Sequence, residues 1–448
     1  MFQKVLVANR GAIAARIIRA LKTMNIKTVA VYSEADKDLP YIKEADEAYY
    51  IGDSVAKKSY LNQEALMEII KNAEVDGVHP GYGFLSENIE FAAAVEKKGA
   101  TFIGPSSKWM KTMSHKSHAR DLMERHGMPI GKGSGVLGEN EEEWKKVARE
   151  IGYPVLVKPV GGGGGIGMIP VFHEGELEKS IKQAKSVSSK AFSDDDIYLE
   201  KYLENPRHIE FQILADNHGN VVHLYERDCS VQRRHQKVIE ESPSVGINES
   251  ETSELASTIT NVIKAIGYNN IGTIEMLRGV DGTYSFLEMN TRLQVEHAVT
   301  EEITGVDLVV AQIKLAAGMK LSDVIPSTIN KDGHSIEARV YAEDPVKFFP
   351  SPGRLQKFVP PSGDSIRIET GYQEGNEISV FYDPLIAKVI VHEENRDRAI
   401  QVLLEALNNF KISGIKTNIP FLIHALQSDE FKNGRIDTNL TKELVKTI

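Results

Sequence analysis

The sequence predicts a mixed α/β protein that begins with a doubly wound parallel sheet. Two observations support this class: apolar runs of strand length start within the first ten residues, and they alternate with segments whose apolar residues recur at helical spacing. Strands that alternate with helices form parallel sheets with right-handed crossovers. Further along the chain, turn signals between adjacent strand patterns predict hairpins, so part of the protein is expected to be α+β.

The N-terminal α/β domain is expected over residues 1–113. Its predicted strands are 3–9, 27–32, 75–79 and 101–103, and its predicted helices begin at 11, 63 and 87. The first turn lacks G-x-G-x-x-G spacing, which does not support a dinucleotide site. The turn before the helix at 87 contains Tyr82 between two glycines, beyond the carboxyl end of a strand, where such folds bind ligands. An ordinary loop explains this turn equally well.

A second unit is expected over residues 114–203, beginning within a helical connector at 108–127. A strand at 153–158 ends in Lys158, and GGGGGIG follows at 161–167. Glycine loses the most backbone entropy on ordering, so this run is neither strand nor helix, and its N–H groups can cover a polyphosphate. A flexible linker is the alternative, disfavoured because the run lies between a strand and the predicted helix at 176–188. No Gly-Lys-Ser/Thr closes it, so it is not a P-loop.

The third unit is expected over residues 204–448. After a strand at 197–203, its predicted elements are a hairpin (208–214 with 221–227), a strand at 230–240, helices at 249–266, 305–318, 396–409 and 418–426, and further strands from 334 onward. The strand at 230–240 alternates basic and apolar residues. It is expected to form the cationic wall of a phosphate pocket, with an ordinary solvated face as the alternative.

One predicted hairpin carries the strongest chemical signal. Asp-Gly at 281–282 predicts a two-residue turn that pairs Val280 with Thr283 and therefore sets Glu275 opposite Glu288. Opposed like charges are destabilising unless a cation lies between them, and oxygen ligands suit Mg²⁺ or Mn²⁺. Solvated carboxylates on an exposed hairpin are the alternative.

The residues after this hairpin extend the proposed metal site. Asn290 adds an amide oxygen on the face of Glu288, and Arg292, Gln294 and Glu296 follow at every second position if the chain stays extended. A base and an anion-binding arginine beside a metal indicate phosphoryl chemistry.

The composition excludes several classes of protein. Of 448 residues, 41% are hydrophobic and 26% are charged, and no window approaches the roughly 18 apolar residues of a membrane span. The N-terminus has no signal-peptide pattern, and a single cysteine excludes an internal disulfide, so a cytoplasmic location is expected. Cys229 has no evident base and is not expected to be a nucleophile. The net charge of −10 argues against nucleic-acid binding.

Three long motifs then resemble those of the biotin carboxylase family in the ATP-grasp superfamily. They are GGGGGIGM at 161–168, ERDCSVQRRHQKVIEESPS at 226–244 and EMNTRLQVEH at 288–297. The resemblance runs from residue 5 to residue 418. It implies that the second unit is a mobile ATP-grasp lid and that the third supplies most of the active site.

The resemblance also implies roles for individual residues. The ATP site would contain Lys116, Lys158, Gly163, Gly164, Gly165, Gly167, Glu200, Lys201, Leu203, His208, Gln232 and His235. Two ions of Mg²⁺ or Mn²⁺ would be held by Glu275, Glu288 and Asn290. Bicarbonate would be bound by Lys237, Arg292, Gln294 and Val295. Glu296 would be the catalytic base, Arg339 would stabilise the charge on biotin, and Tyr82 would lie near biotin.

The function implied is ATP-dependent carboxylation of biotin on a biotin carboxyl carrier protein, through carboxyphosphate. It is the first half-reaction of a multi-subunit carboxylase such as acetyl-CoA carboxylase, an enzyme of fatty acid biosynthesis. The sequence contains no carrier or carboxyltransferase domain, so a separate subunit that works with both is expected, as is a homodimer. Two residues depart from the family pattern: Ile166, where arginine is common, and Ala298, where proline is usual. Neither removes a catalytic group.

Two other functions remain open on the residues alone. Another ATP-grasp ligase, acting on a small acceptor other than biotin, would share the glycine loop and the metal carboxylates but would not need Arg292, Glu296 and Arg339. A non-catalytic nucleotide-binding subunit is disfavoured because the same side chains and Lys237 are all present.

Overall fold

The computed structural model describes residues 1–161, 166–192 and 194–448. Three larger sheets organise the chain and lie within residues 4–102, 133–201 and 207–393. The predicted phosphate-covering loop, with Gly163, Gly164 and Gly165, falls outside the described residues for most of its length. No helix in the described ranges is both long and apolar enough to cross a membrane.

The first sheet is fully parallel, with strand order β3-β2-β1-β4-β5, which confirms the predicted doubly wound unit. Its elements are β1 (Lys4–Val7), α1 (Gly11–Thr23), β2 (Lys27–Tyr32), α2 (Pro40–Glu44), β3 (Glu47–Tyr50), α3 (Gln63–Asn72), β4 (Gly77–His79), α4 (Ile89–Lys97) and β5 (Thr101–Phe102), with short 3₁₀ helices at Glu34–Asp36 and Ala56–Lys58. Asn88 caps α4 by accepting a hydrogen bond from the Phe91 N–H at 2.7 Å. This cap ends the loop that carries Tyr82.

Two connecting helices and a small sheet follow. Their elements are α5 (Ser107–Ser114), α6 (Lys116–Arg125), β6 (Gly133–Val136), α7 (Glu141–Ile151), β7 (Val155–Pro159), β8 (Ile169–Val171), α8 (Glu174–Phe192) and β9 (Ile197–Lys201). The sheet is antiparallel in the order β6-β9-β7-β8. It has its own apolar core, in which Trp144 and Leu177 are buried against the strands. The small sheet therefore has an apolar core separate from those of the other two sheets.

The third sheet is an eight-stranded antiparallel layer in the order β14-β13-β10-β11-β12-β15-β20-β18. The elements of this part are β10 (Arg207–Ala215), β11 (Val221–Arg233), β12 (Gln236–Ser242), α9 (Glu249–Ile266), β13 (Asn270–Arg278), β14 (Tyr284–Asn290), α10 (His297–Thr304), α11 (Leu308–Ala316), α12 (Leu321–Val324), β15 (His334–Tyr341), β16 (Gly353–Arg354), β17 (Lys357–Val359), β18 (Ile366–Thr370), β19 (Glu377–Ile378), β20 (Leu385–Glu393), α13 (Arg396–Asn409), β21 (Lys411–Ser413), α14 (Ile419–Gln427), α15 (Asp429–Lys432) and α16 (Leu440–Leu444).

The β13–β14 hairpin confirms one prediction and corrects another. Glu275 is the register partner of Glu288, as predicted. The two-residue turn is wrong, because the Gly279 N–H donates to the Thr283 carbonyl at 2.8 Å and leaves a three-residue loop. The pairing shifts by one residue between Glu275 and Met276, which cancels the error in the turn.

Two predicted strands are also corrected. Residues 230–240 are not one strand: β11 and β12 meet there in a tight hairpin, whose turn residues Arg234 and His235 both have positive φ. Residues 291–296 are not extended either, since β14 ends at Asn290 and α10 begins at His297. Their side chains therefore reach the site from an irregular segment. Ala298 is buried in the first turn of α10, and the helix starts there without the proline that is usual in the family.

Candidate active site

A cavity of about 720 Å³ lies between the first and third sheets, beneath the small sheet. It is lined by most of the predicted site residues: Tyr82, Lys116, Lys158, His208, Gln232, His235, Lys237, Glu275, Glu288, Asn290, Arg292, Gln294, Val295, Glu296 and Arg339. Residues separated by more than 250 positions in the chain thus share one space. Among the described residues, Gly167, Glu200, Lys201 and Leu203 are not part of this lining.

One row of acidic side chains starts in the cavity and continues across adjacent strands of the third sheet. The sheet register aligns Glu288, Glu275 and Glu210 on adjacent strands, and Arg227 follows on the next strand. Arg227 is fully buried and its Nε lies 2.6 Å from Glu210 Oε1. Glu210 and Arg227 were not predicted as site residues. Glu210 lies between two apolar residues in β10, a pattern that is equally typical of a solvated face, and Arg227 lies between two acidic residues in β11.

Lys237 lies at the centre of three carboxylates. Its Nζ is 2.5 Å from Glu210 Oε2, 2.9 Å from Glu275 Oε1 and 2.5 Å from Glu296 Oε1. Burial alone would lower the pKa of Lys237, but these three carboxylates outweigh it and raise the pKa well above its ordinary value. Lys237 is therefore a permanent cation at the base of the cavity.

Glu296 lies between two cations. It is fully buried, with Lys237 on Oε1 and the Arg339 Nη2 2.9 Å from Oε2. Burial opposes ionisation, but Lys237 and then Arg339 outweigh it and lower the pKa of Glu296 to about 2. The carboxylate is ionised at neutral pH and can accept a proton. The Cys229 Sγ lies 3.9 Å from the same carboxylate, and burial raises the pKa of this thiol, so it is not a nucleophile.

Arg292 is oriented by contacts on both sides of its guanidinium. Its Nε lies 3.0 Å from Glu87 Oε2, while its Nη1 and Nη2 donate to Gln294 Oε1 at 2.9 Å and Asn290 Oδ1 at 3.0 Å. Glu87 also accepts the Thr291 N–H at 3.1 Å, which ties the irregular segment to the start of α4. Glu87 was missed, because its partner lies two hundred residues away in the sequence.

The two opposed carboxylates attract cations in this structure. Lys116 Nζ lies 3.5 Å from Glu288 Oε2, and Glu275 Oε2 lies 3.4 Å from His208 Nε2. Burial would lower the pKa of His208, but Glu275 outweighs it and raises the pKa to about 9. The carboxylates of Glu275 and Glu288 and the amide oxygen of Asn290 form a set of hard oxygen ligands that fits Mg²⁺ or Mn²⁺.

Two predicted residues of the ATP site form an ion pair, of which Lys158 lines the cavity and Glu200 does not. The buried Lys158 Nζ lies 2.8 Å from Glu200 Oε2, and Arg120 Nη1 lies 2.9 Å from the other oxygen of Glu200. The neighbouring Lys201 donates to the carbonyl oxygens of Gly152 and Tyr153 at 2.9 and 3.0 Å. Glu200 therefore holds Lys158 at the edge of the small sheet, close to the cavity.

Tyr82 and Arg339 also line the cavity. The Asn9 side chain donates to the carbonyl oxygens of Pro80 and Tyr82 at 2.7 and 2.8 Å and so holds the loop that carries Tyr82. Gly81 in this loop has a φ of +65°, and an added Cβ would lie 3.0 Å from the Asn9 amide. The positive φ and this close approach to the Asn9 side chain both favour glycine at this position.

Comparison with known proteins first defines the class. Residues 115–324 match the family described as the carbamoyl-phosphate synthase L chain, ATP binding domain, so the chain is an ATP-grasp enzyme. Residues 1–110 and 337–443 match the biotin carboxylase N-terminal and C-terminal domains. The chain belongs to the biotin carboxylase family, and its activity is ATP-dependent carboxylation of biotin.

Individual relatives agree with this assignment. A biotin carboxylase of Halalkalibacterium halodurans is 50% identical over 98% of this chain and 97% of its own length. A crystal structure of a biotin carboxylase from Campylobacter jejuni, in complex with a β,γ-ATP ligand, has a TM-score of 0.96 at 45% identity and covers 99% of both chains. The biotin carboxylase domain dimer of Hydrogenobacter thermophilus 2-oxoglutarate carboxylase, with MgADP, ADP and bicarbonate, has a TM-score of 0.94 at 45% identity, covering 99% and 98%.

Proposed function

We propose that this cavity forms carboxyphosphate from ATP and bicarbonate and then carboxylates biotin attached to a carrier protein. The observation that carries the proposal is the position of Glu296 between Lys237 and Arg339. A base with a cation on each side can deprotonate one anionic substrate while both cations hold the negative charge that develops.

Bicarbonate is assigned to the space above Lys237 and Arg292. Two side-chain cations there offset its charge, Gln294 and the backbone of Val295 border the same space, and Glu296 takes its proton. Deprotonation makes the bicarbonate oxygen a better nucleophile towards the γ-phosphorus of ATP. Arg292 enters this arrangement already oriented by Glu87, which limits the entropy lost on binding.

The ATP phosphates are assigned to the end of the cavity lined by Lys116, Lys158 and His235, with His208 and Gln232 beside them. Gly163, Gly164, Gly165 and Gly167 are proposed to cover the phosphates, and Glu200, Lys201 and Leu203 to border the adenine. Glu275, Glu288 and Asn290 would hold one or two Mg²⁺ or Mn²⁺ ions, which offset charge on the phosphates when bound. The MgADP and bicarbonate in the Hydrogenobacter thermophilus relative support these assignments.

Biotin is assigned to the end that contains Arg339 and Tyr82. Carboxyphosphate releases CO₂ and phosphate in the closed site, and the phosphate takes the ureido proton of biotin. Arg339 then stabilises the resulting negative charge on the ureido oxygen, while the ureido nitrogen attacks CO₂. Arg339 suits this role because it is buried and its burial is offset by carboxylates, which leaves it charged at every working pH.

The wider setting follows the family. We propose that the chain acts as a homodimer in the cytoplasm and serves a biotin carboxyl carrier protein and a carboxyltransferase. Residues 1–113, 114–203 and 204–448 are proposed as its domains, since each range contains one of the three larger sheets. Acetyl-CoA carboxylase of fatty acid biosynthesis is the proposed parent enzyme, although a 2-oxo acid carboxylase would use the same half-reaction.

One assay tests the proposal. ATP hydrolysis is measured with bicarbonate and Mg²⁺, with and without free biotin. We expect hydrolysis to require bicarbonate and to rise when biotin is added. Hydrolysis that ignores biotin would favour an ATP-grasp ligase with a different acceptor.

A further inference from the structure

Two buried glutamates next to the cavity have no role in the proposed reaction. Glu240 in β12 and Glu337 in β15 are register partners at the centre of the third sheet, and both are fully buried. Glu337 lies two residues before Arg339 in β15, so the two side chains share a face of the sheet. Like charges directly opposed in a buried sheet are destabilising, so this pair needs a physical explanation.

The pair lacks enough cations to be fully ionised. Arg339 Nη2 lies 2.5 Å from Glu240 Oε1, but Glu296 shares the same nitrogen at 2.9 Å. Lys388 Nζ lies 3.3 Å from Glu337 Oε2, but it lies closer, at 2.8 Å, to a different carboxylate, that of Glu369.

Glu296 and Glu369, which compete for these two cations, each bind a further cation. Among the described residues, Glu240 and Glu337 form no further salt bridge. Lys237 also binds Glu296, and Arg367 also binds Glu369. Across the part of the chain that the structure describes, no donor is in hydrogen-bond geometry with any oxygen of Glu240 or Glu337. Each of the two buried carboxyl groups thus has one cation within salt-bridge distance, and that cation also binds another carboxylate.

The remaining charged groups around the pair do not change this balance. Glu296, Lys237 and Cys229 face Glu240, while Glu369, Lys388 and Tyr82 face Glu337. Burial raises the pKa of Glu240 to about 8 and that of Glu337 to about 7; the Glu337 carboxylate adds to the rise at Glu240, and the carboxylates of Glu369 and Glu296 add to the rise at Glu337.

We propose that Glu240 and Glu337 together hold one proton at neutral pH and act as positioning residues that keep Arg339 available to biotin. The inference rests on the proposed role of Arg339. A fully ionised pair would compete with the developing charge on biotin for the guanidinium. A singly protonated pair still places the guanidinium but neutralises less of its charge.

The first test uses glutamine as a mimic of a protonated glutamate. Glu240→Gln and Glu337→Gln each leave one negative charge in the pair, so each variant should keep its unfolding temperature within a few degrees of the parent. The double variant removes that charge from beside two buried cations and should be destabilised by more than the two single changes together. Glu241→Gln is the matched control, because that buried carboxylate is hydrogen-bonded to both His334 and Arg396. A loss in Glu240→Gln as large as in the control would overturn the proposal.

The second test is a pH profile of the biotin-dependent rate. In the parent protein the rate should fall several-fold as pH rises from about 7 to 9 and the pair loses its proton. In Glu240→Gln this fall should disappear, because Glu337 alone is already ionised. An unchanged alkaline fall in the variant would contradict the proposal, because a merely structural role of Glu240 would leave the pH profile as it is in the parent.

A direct measurement separates this inference from the proposed function. Nuclear magnetic resonance of protein with ¹³C-labelled glutamate should show a carboxyl titration between pH 6 and 9 that is lost in the double variant or, if that variant does not fold, altered in each single variant. If this titration is observed but the protein has no biotin-dependent activity, the role of Arg339 is rejected while the shared proton of Glu240 and Glu337 is supported. Its absence would reject the pair, whatever the activity.

Discussion

Replacement of Glu296 by glutamine tests the proposed base with the least change in shape. The amide cannot accept a proton from bicarbonate, and general-base catalysis contributes about 10²–10⁴ to a rate. Lys237 keeps Glu210 and Glu275, and Arg339 keeps Glu240, so neither cation loses all its partners. We therefore expect at least a hundredfold loss of biotin carboxylation with a stability cost of only ~1–3 kcal/mol.

The assay combines three measurements on Glu296→Gln: carboxylation of free biotin, ATP binding by calorimetry, and urea unfolding. Glu241→Gln is the control, because it removes an equally buried carboxylate from Arg396 and His334, outside the cavity. The control should lose comparable or greater stability and keep its rate. The reasoning about the base is refuted if Glu296→Gln retains more than about a tenth of the rate. Parallel loss of ATP binding would show a structural role instead.

Three further outcomes are expected. Glu288→Gln should raise the Mg²⁺ concentration needed for half-maximal ATP hydrolysis by at least about tenfold, and an unchanged requirement would remove Glu288 from the metal site. Arg339→Met should lower the biotin-dependent rate by about a hundredfold and bicarbonate-dependent hydrolysis without biotin far less; equal losses would contradict a role at biotin. Burial opposes ionisation of Glu241, but His334 and Arg396 outweigh it and lower its pKa to about 2. The stability that this carboxylate contributes, roughly 3 kcal/mol, is present above pH 4.5 and lost as pH falls towards 2, so urea unfolding of Glu241→Gln should lack that part of the acid dependence.

The β13–β14 hairpin shows how a correct contact can follow from a wrong turn. The Asp-Gly dipeptide at 281–282 predicts a two-residue loop, whereas the chain forms a three-residue loop in which only Gly282 has positive φ. Counting outward from that loop alone would misalign the strands by one residue. The register shift beyond Glu275 restores the alignment with Glu288. Turn chemistry is local and readable in a sequence, but a bulge depends on packing that a sequence does not display.

The burial of charged residues could not be predicted from the pattern of each strand taken alone. Strand and helix types were predictable in the N-terminal domain because apolar periodicity reports directly which face is buried. Glu210 and Glu337 alternate with apolar residues as in any half-exposed strand, and Glu240 is followed by a second glutamate, yet all three are fully buried. Their burial results from elements distant in sequence that cover the polar face of the third sheet. The motifs located residues that line the cavity, whereas the carboxylates beneath them required the three-dimensional structure.

The proposed roles of Lys237 and Arg339 would couple the basicity of Glu296 to the presence of substrates. Before substrates bind, Lys237 and Arg339 both contact Glu296, and together they hold its pKa near 2, where it is a weak base. In the proposed reaction, bicarbonate would draw Lys237 towards itself, and biotin would do the same with Arg339. Each withdrawal would remove a cation from a fully buried carboxylate, and burial would then raise the pKa of Glu296 towards the working pH. Glu296 would thus become an effective base only after bicarbonate had replaced it on Lys237, and consumption of ATP would therefore depend on bicarbonate.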